Sequence, residues 1–152
     1  MNTSLNTHPI TIVLTGATGG LGSALAKALS AQGVLLVLCG RNHIQLEQLN
    51  RALGGQHHCI AGDLTTSSGR QAVFAYCQQF NRGIDVLINN AASNHFGPLK
   101  EMNEITVQQM LVTNLLVPIE LTRLLLPILA KADKAQIINI GSAFSRLGFP
   151  GF

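Results

Sequence analysis

An open, parallel, doubly wound α/β sheet with helices on both faces is the fold class that this sequence predicts, and three observations predict it. Short apolar runs of strand length recur at 10–14, 34–39, 59–61, 84–88 and 136–140. Segments with apolar residues at helical spacing separate them, which is the βαβα alternation of a parallel sheet. A glycine-rich turn, residues 15–22, joins the first run to the first helical segment.

Taken in order, Ile10, Ile12, Val13 and Leu14 read as a buried strand, and Leu21, Leu25, Ala28 and Leu29 as the apolar face of a helix. The turn between them, Thr-Gly-Ala-Thr-Gly-Gly-Leu-Gly, therefore runs strand to helix. At such a junction the first helical N–H groups lack intrahelical partners and the helix dipole adds partial positive charge, so a pyrophosphate is the natural occupant. Gly16 suits the tight turn, Gly20 has no Cβ to hold a ligand away, and Gly22 lets helix and strand pack closely, as in the dinucleotide pattern of a Rossmann-type sheet. Gly33 is a suitable helix C-cap and 34–39 a second strand, which completes the βαβ unit that gives the glycine pattern its meaning.

Ile44, Leu46, Leu49 and Leu53 predict a second helix that ends at Gly54 and Gly55, and a short strand follows at 59–61. Thr65 and Thr66 are caps for a third helix carrying Val73, Phe74, Cys77 and Phe80. A fourth strand at 84–88, closed by Asn89, Asn90 and Ala91, leads through the longest loop, 93–102, into a fourth helix over 105–130. The last strand, 136–140, delivers Gly141 and Ser142.

With 152 residues the chain holds one domain. Hydrophobic residues at 47% and charged residues at 11% exclude a disordered chain. The net charge of +3 is scattered, and one Tyr with no Trp offers no stacking platform, so nucleic acid is not an expected partner. Cys39, Cys59 and Cys77 are odd in number and form no CxxC pair, which argues against a disulfide framework or a zinc site and for a reducing cytoplasm. The stretch 1–9 is polar, without the apolar core of a secretory signal. Gln108, Gln109, Asn114, Glu120 and Arg123 with two prolines make 105–130 too polar for a membrane span.

In parallel sheets ligands bind outside the carboxyl ends of the strands. Gly16, Arg41, Asp63, Asn90 and Ser142 follow strands one to five in turn.

TGATGGLG, the GDL at 62–64, the NNAA at 89–92, Asn114 and the INIGS ending at Ser142 together resemble the classical short-chain dehydrogenase/reductase family over essentially the whole chain. Gly16, Gly20 and Gly22 fit that branch's TGxxxGxG, whereas Gly16, Gly19 and Gly22 fit the TGxxGxxG of the extended branch; NNAA decides for the former. The resemblance implies a three-layer Rossmann-type fold and an NAD(P)-dependent oxidoreductase. By it, Thr18 and Leu21 join Gly16, Gly20 and Gly22 around the cofactor, Asp63 with Leu64 meets the adenine, and Asn90 with Ala91 steadies the sheet and flanks the cofactor. Asn114 and Ser142 inherit catalytic roles, the Ser bonding the substrate carbonyl.

The family's Tyr and Lys lie in a YxxxK motif beyond the Ser, and this sequence ends at Phe152 before it. That Tyr is the acid/base and the Lys lowers its pKa, so the chain is expected to be the N-terminal portion of a reductase, incomplete at its C-terminus and inactive alone. Tyr76, its one Tyr, sits in the third helix. The competing reading is a nucleotide-binding or interaction module with no chemistry.

Arg41 stands where NAD-specific sites carry an acid, and an Arg pairs with a 2′-phosphate, so NADP is expected rather than NAD. Pro118 removes the N–H that would bond the Asn114 carbonyl, leaving it for another partner; the family uses a kinked helix there to hold a relay water. Adjacent strand residues face opposite ways, so His57 and His58 do not chelate one metal. His95 and Phe96 read as a plain surface loop near the pocket mouth. The expected partner is a small carbonyl or alcohol, in a homo-oligomer when full length. The isolated chain is expected to associate through its fifth strand and through Leu121, Leu124, Leu125 and Ile128.

Overall fold

Five apolar runs become five parallel strands in the order β3-β2-β1-β4-β5 in the computed structural model, which describes residues 8–148. Most of the polar stretch 1–9 and the final residues 149–152 lie outside the described residues. The strands are β1 Thr11–Thr15, β2 Leu35–Gly40, β3 His58–Ala61, β4 Val86–Asn89 and β5 Gln136–Asn139. β1 and β2 are buried on both faces, which is why they read as continuous apolar runs. Register sets Val13 against Val37 on one side and Leu87 on the other.

Helices α1 Gly20–Ser30 and α2 His43–Ala52 cover one face, packing on Ile12, Leu14, Leu36 and Leu38. The other face, with Val13, Val37 and Leu87, is covered by α3 Ser67–Cys77 and by a long helix. The chain thus changes sides between β1 and β4, which opens a crevice at their carboxyl ends.

The face of α1 differs from expectation by a small rotation. Gly22 and Ala26 are its buried residues, Leu25 and Leu29 are half-buried, and Leu21 and Ala28 are exposed. Close approach to the sheet selects the smallest side chains, so the largest ones mark the flanks of the contact. Ile44 of α2 is likewise exposed, while Asn50 is buried in the helix's inner stripe. Phe80 lies beyond the end of α3.

The long helix comprises α4 Glu104–Leu111, a π turn Val112–Leu116 and α5 Val117–Leu129. Pro118 supplies no N–H to Asn114, and Val117 N–H reaches back five residues to Val112 O, so the ladder widens by one residue. On length and composition alone this helix is long and apolar enough to cross a membrane, with a mean hydropathy of 1.5 in its most apolar window, a test that the core helix of a soluble protein also passes. Its α5 half packs Val117, Leu121, Leu125 and Ile128 into the core beside α3.

That burial also corrects the expected association face. Leu121, Leu125 and Ile128 are covered and Leu124 is half-buried, whereas Ile119 at 55% and Leu126 at 50% are exposed. β5 is an edge strand, exposed along its length, with Ile137 and Ile138 uncovered.

Candidate dinucleotide site

The crevice is built by the turns that leave β1, β2, β3 and β4. Gly16 takes φ +63°, and a Cβ there would stand 2.8 Å from Ala91 Cα, so only glycine lets the first turn lie against the chain leaving β4. A Cβ on Gly22 would collide with Gly16 O, whereas one on Gly20 would meet nothing within 4 Å. Gly22 therefore serves packing, and Gly20 faces open space.

Thr15 and Asn90 fasten the two sides of the crevice. Thr15 Oγ1 accepts the N–H groups of Asn90 and Ala91 at 2.9 Å each, and Asn90 Nδ2 donates to Thr15 O at 2.9 Å and Gly16 O at 3.2 Å. At the start of α1 the N-cap is Gly19, no side chain caps the helix, and the first turn has no acid. Ser23 N–H is the first to bond along the helix, to Gly19 O at 2.8 Å, so the N–H groups of Gly20, Leu21 and Gly22 precede the ladder. This is a cradle for a diphosphate.

A cleft of about 550 Å³ runs along these turns. It gathers all ten residues expected around a cofactor: Gly16, Thr18, Gly20, Leu21 and Gly22 from the first turn, and Arg41 after β2. Asp63 and Leu64 after β3 and Asn90 and Ala91 after β4 complete the set. Arg41 is exposed and makes no hydrogen bond or ion pair among the described residues. Asp63 Oδ1 accepts from Thr65 Oγ1 at 2.7 Å and Thr65 N at 2.9 Å, and these bonds, with a smaller pull from Arg41, hold its carboxyl below the usual carboxylate range.

Asn114 and Ser142 do not line this cleft. The Asn114 side chain is committed to the loop after β4: Ser93 N donates to its Oδ1 at 2.8 Å and its Nδ2 donates to Ser93 O at 2.7 Å. Ser142 is exposed at the end of β5, and its carbonyl accepts from Ser145 Oγ at 2.7 Å.

His57 and His58 face opposite layers. His57 Nδ1 accepts Leu36 N–H at 3.3 Å and its Nε2 lies 2.8 Å from Ser30 Oγ, while the His58 ring stacks near Tyr76 and Phe80. Burial pushes the Cys77 thiol up to about 12 and raises that of Cys39 further, so both pack as apolar groups.

Thr65 and Arg70 shape the cleft in ways that sequence reasoning missed. Thr65 lines the cleft and fixes Asp63, although it was assigned as a cap; the helix cap is Thr66, whose side chain accepts from Gly69 N. Arg70 lies buried behind the same turn; its spacing with Val73 and Cys77 on one helical stripe was the available signal.

Comparison with known proteins agrees with this geometry. A family described as short chain dehydrogenase matches residues 10–152. A mouse protein named dehydrogenase/reductase SDR family member 7B is 34% identical over 146 residues, 91% of this chain and 45% of its own. A ketoacyl reductase, HetN, from Nostoc sp. is 36% identical over 141 residues, 91% of this chain and 49% of its own. The chain thus spans about half the length of the curated relatives it matches. The solved structure of a metagenomic short-chain oxidoreductase in complex with NADP superposes with a TM-score of 0.85 at 29% identity, covering 93% of this chain and 66% of that one. On its fold, its glycine cradle and the family match across nearly its whole length, this chain belongs to the short-chain dehydrogenase family of NAD(P)-binding oxidoreductases.

Proposed function

We propose that the chain is the cofactor-binding part of an NADP-dependent oxidoreductase acting on a small carbonyl or alcohol. The observation that carries this reading is the gathering of the ten expected residues on one cleft at the switch point, beside an uncapped helix N-terminus. When bound, the dinucleotide supplies hydride donor or acceptor chemistry at its nicotinamide.

The chain's own residues do the rest. N–H groups of Gly20, Leu21 and Gly22 bind the diphosphate, and the guanidinium of Arg41 pairs with the 2′-phosphate. Asp63 and Leu64 hold the base, Thr18 borders the cofactor from within the first turn, and Asn90 and Ala91 flank the ribose. Asn114, its side chain spent on Ser93, offers its main-chain carbonyl to a proton relay, and Ser142 orients the substrate oxygen. The exposed Ile119 and Leu126 face and the β5 edge support self-association, and the three free thiols support a reducing, cytoplasmic setting.

Tyr76 packs with His58 and Phe80 and does not line the cleft. The purified 152-residue chain should therefore bind NADPH yet reduce none of a broad panel of carbonyls. NADPH-dependent turnover by this chain would contradict the assignment.

A further inference from the structure

We propose that Arg70 is a positioning residue for the base-binding end of the cleft, acting through the carbonyls of Leu64 and Thr65; this rests on the dinucleotide reading above. Arg70 sits on the inner stripe of α3 with Val73 and Cys77, and only 9% of it is exposed. A full charge in such a place is costly unless its hydrogen bonds are made. Its Nη1 donates to Leu64 O at 2.8 Å and to Thr65 O at 3.0 Å, and both residues line the cleft. Its Nε is buried without a partner among the described residues. A Met would fill similar space and strand no N–H, so what Arg adds here is the pair of carbonyl bonds, together with a positive charge that bears on Glu120 of α5.

The rest of the turn is fixed locally. Thr65 holds the Asp63 carboxylate, Thr66 Oγ1 donates to Asp63 O at 2.8 Å, and a Cβ on Gly69 would collide with Asp63 O. These contacts orient Asp63, whereas Arg70 reaches one step further along the turn and pins Leu64 and Thr65 from beneath. The wall against which a base would lie is therefore set by α3, a helix that does not itself line the cleft.

The test compares the chain with Arg70→Met, Arg70→Gln and Arg70→Lys by titration with 2′,5′-ADP and with reduced nicotinamide mononucleotide. Arg70→Met should weaken 2′,5′-ADP about tenfold, the scale of a charge-assisted hydrogen bond, and leave the mononucleotide within about twofold. Lys, which can donate to both carbonyls, should restore most of the affinity. If Met does not fold, Gln carries the test with a several-fold loss. Amide exchange at residues 63–66 should quicken in Arg70→Met or Arg70→Gln while α1 stays unchanged, a readout that needs no ligand. A lowered Tm with wild-type 2′,5′-ADP affinity and wild-type exchange at 63–66 would overturn the proposal. An unmutated chain that binds neither 2′,5′-ADP nor NADPH would instead defeat the dinucleotide reading, and this proposal with it.

Discussion

Thr15 and Asn90 are bonded to each other twice across the switch point: Asn90 N–H donates to Thr15 Oγ1 and Asn90 Nδ2 donates to Thr15 O, both at 2.9 Å. The same hydroxyl accepts Ala91 N–H and donates to Ile88 O at 3.3 Å, so its lone pairs and its proton are all used.

Thr15→Val keeps the shape of this side chain and removes all three bonds. Two part-buried backbone N–H groups then lose their partner, and an unpaired donor costs up to about 1–3 kcal/mol where water does not reach it. Urea unfolding should show a loss of about 2 kcal/mol or more, with weaker cofactor binding in the folded protein. Unchanged stability would mean that the two turns are held by other contacts.

Gly20 and Gly22 should separate ligand approach from packing. Gly20→Ala meets no atom within 4 Å and should leave the Tm nearly unchanged while weakening NADPH. Gly22→Ala drives a Cβ into Gly16 O and should lower the Tm and NADPH affinity together. Thermal melts and titrations of both variants check the pair, and a stable Gly22→Ala would contradict the packing role.

The sheet was legible because β1 and β2 are buried on both faces, so Ile12 to Leu14 and Leu36 to Cys39 stand out as unbroken apolar runs. The cofactor turns were legible for a related reason: parallel topology sends every strand's carboxyl end to one edge, so locating the strands located Gly16, Arg41, Asp63 and Asn90. The inner face of α1 was not, because Gly22 and Ala26 bury by closeness rather than by size. Pro118 announced a break at Asn114, but the break is a widened turn, and the Ser93 partner lies 21 residues away, beyond any local pattern. Asn50 and Arg70 are polar residues on apolar helical stripes, and neither belongs to a recognised motif that would give that position a role.

His57 makes stability depend on pH. Burial, with a smaller contribution from His58, holds its imidazole below the usual 6.5. Leu36 N–H requires Nδ1 to be an acceptor, and Nε2 is then the donor to Ser30 Oγ. Because the folded pKa is depressed, the unfolded chain takes up the proton first as pH falls. The contribution is full above 6.5 and is lost as pH drops through the folded pKa. Urea midpoints should therefore fall as pH drops below 6.5, and His57→Gln should flatten that slope. A slope that His57→Gln leaves intact would assign it to other groups.

The central claim, an NADP site in which Arg41 takes the place of an acid, is tested most directly by titrating the chain and Arg41→Ala with NADPH and NADH. The unmutated chain should bind NADPH about tenfold or more tightly than NADH, the scale of a charge-assisted bond to phosphate, and Arg41→Ala should erase most of that difference without altering NADH affinity. Equal affinities for the two cofactors in the unmutated chain would contradict it.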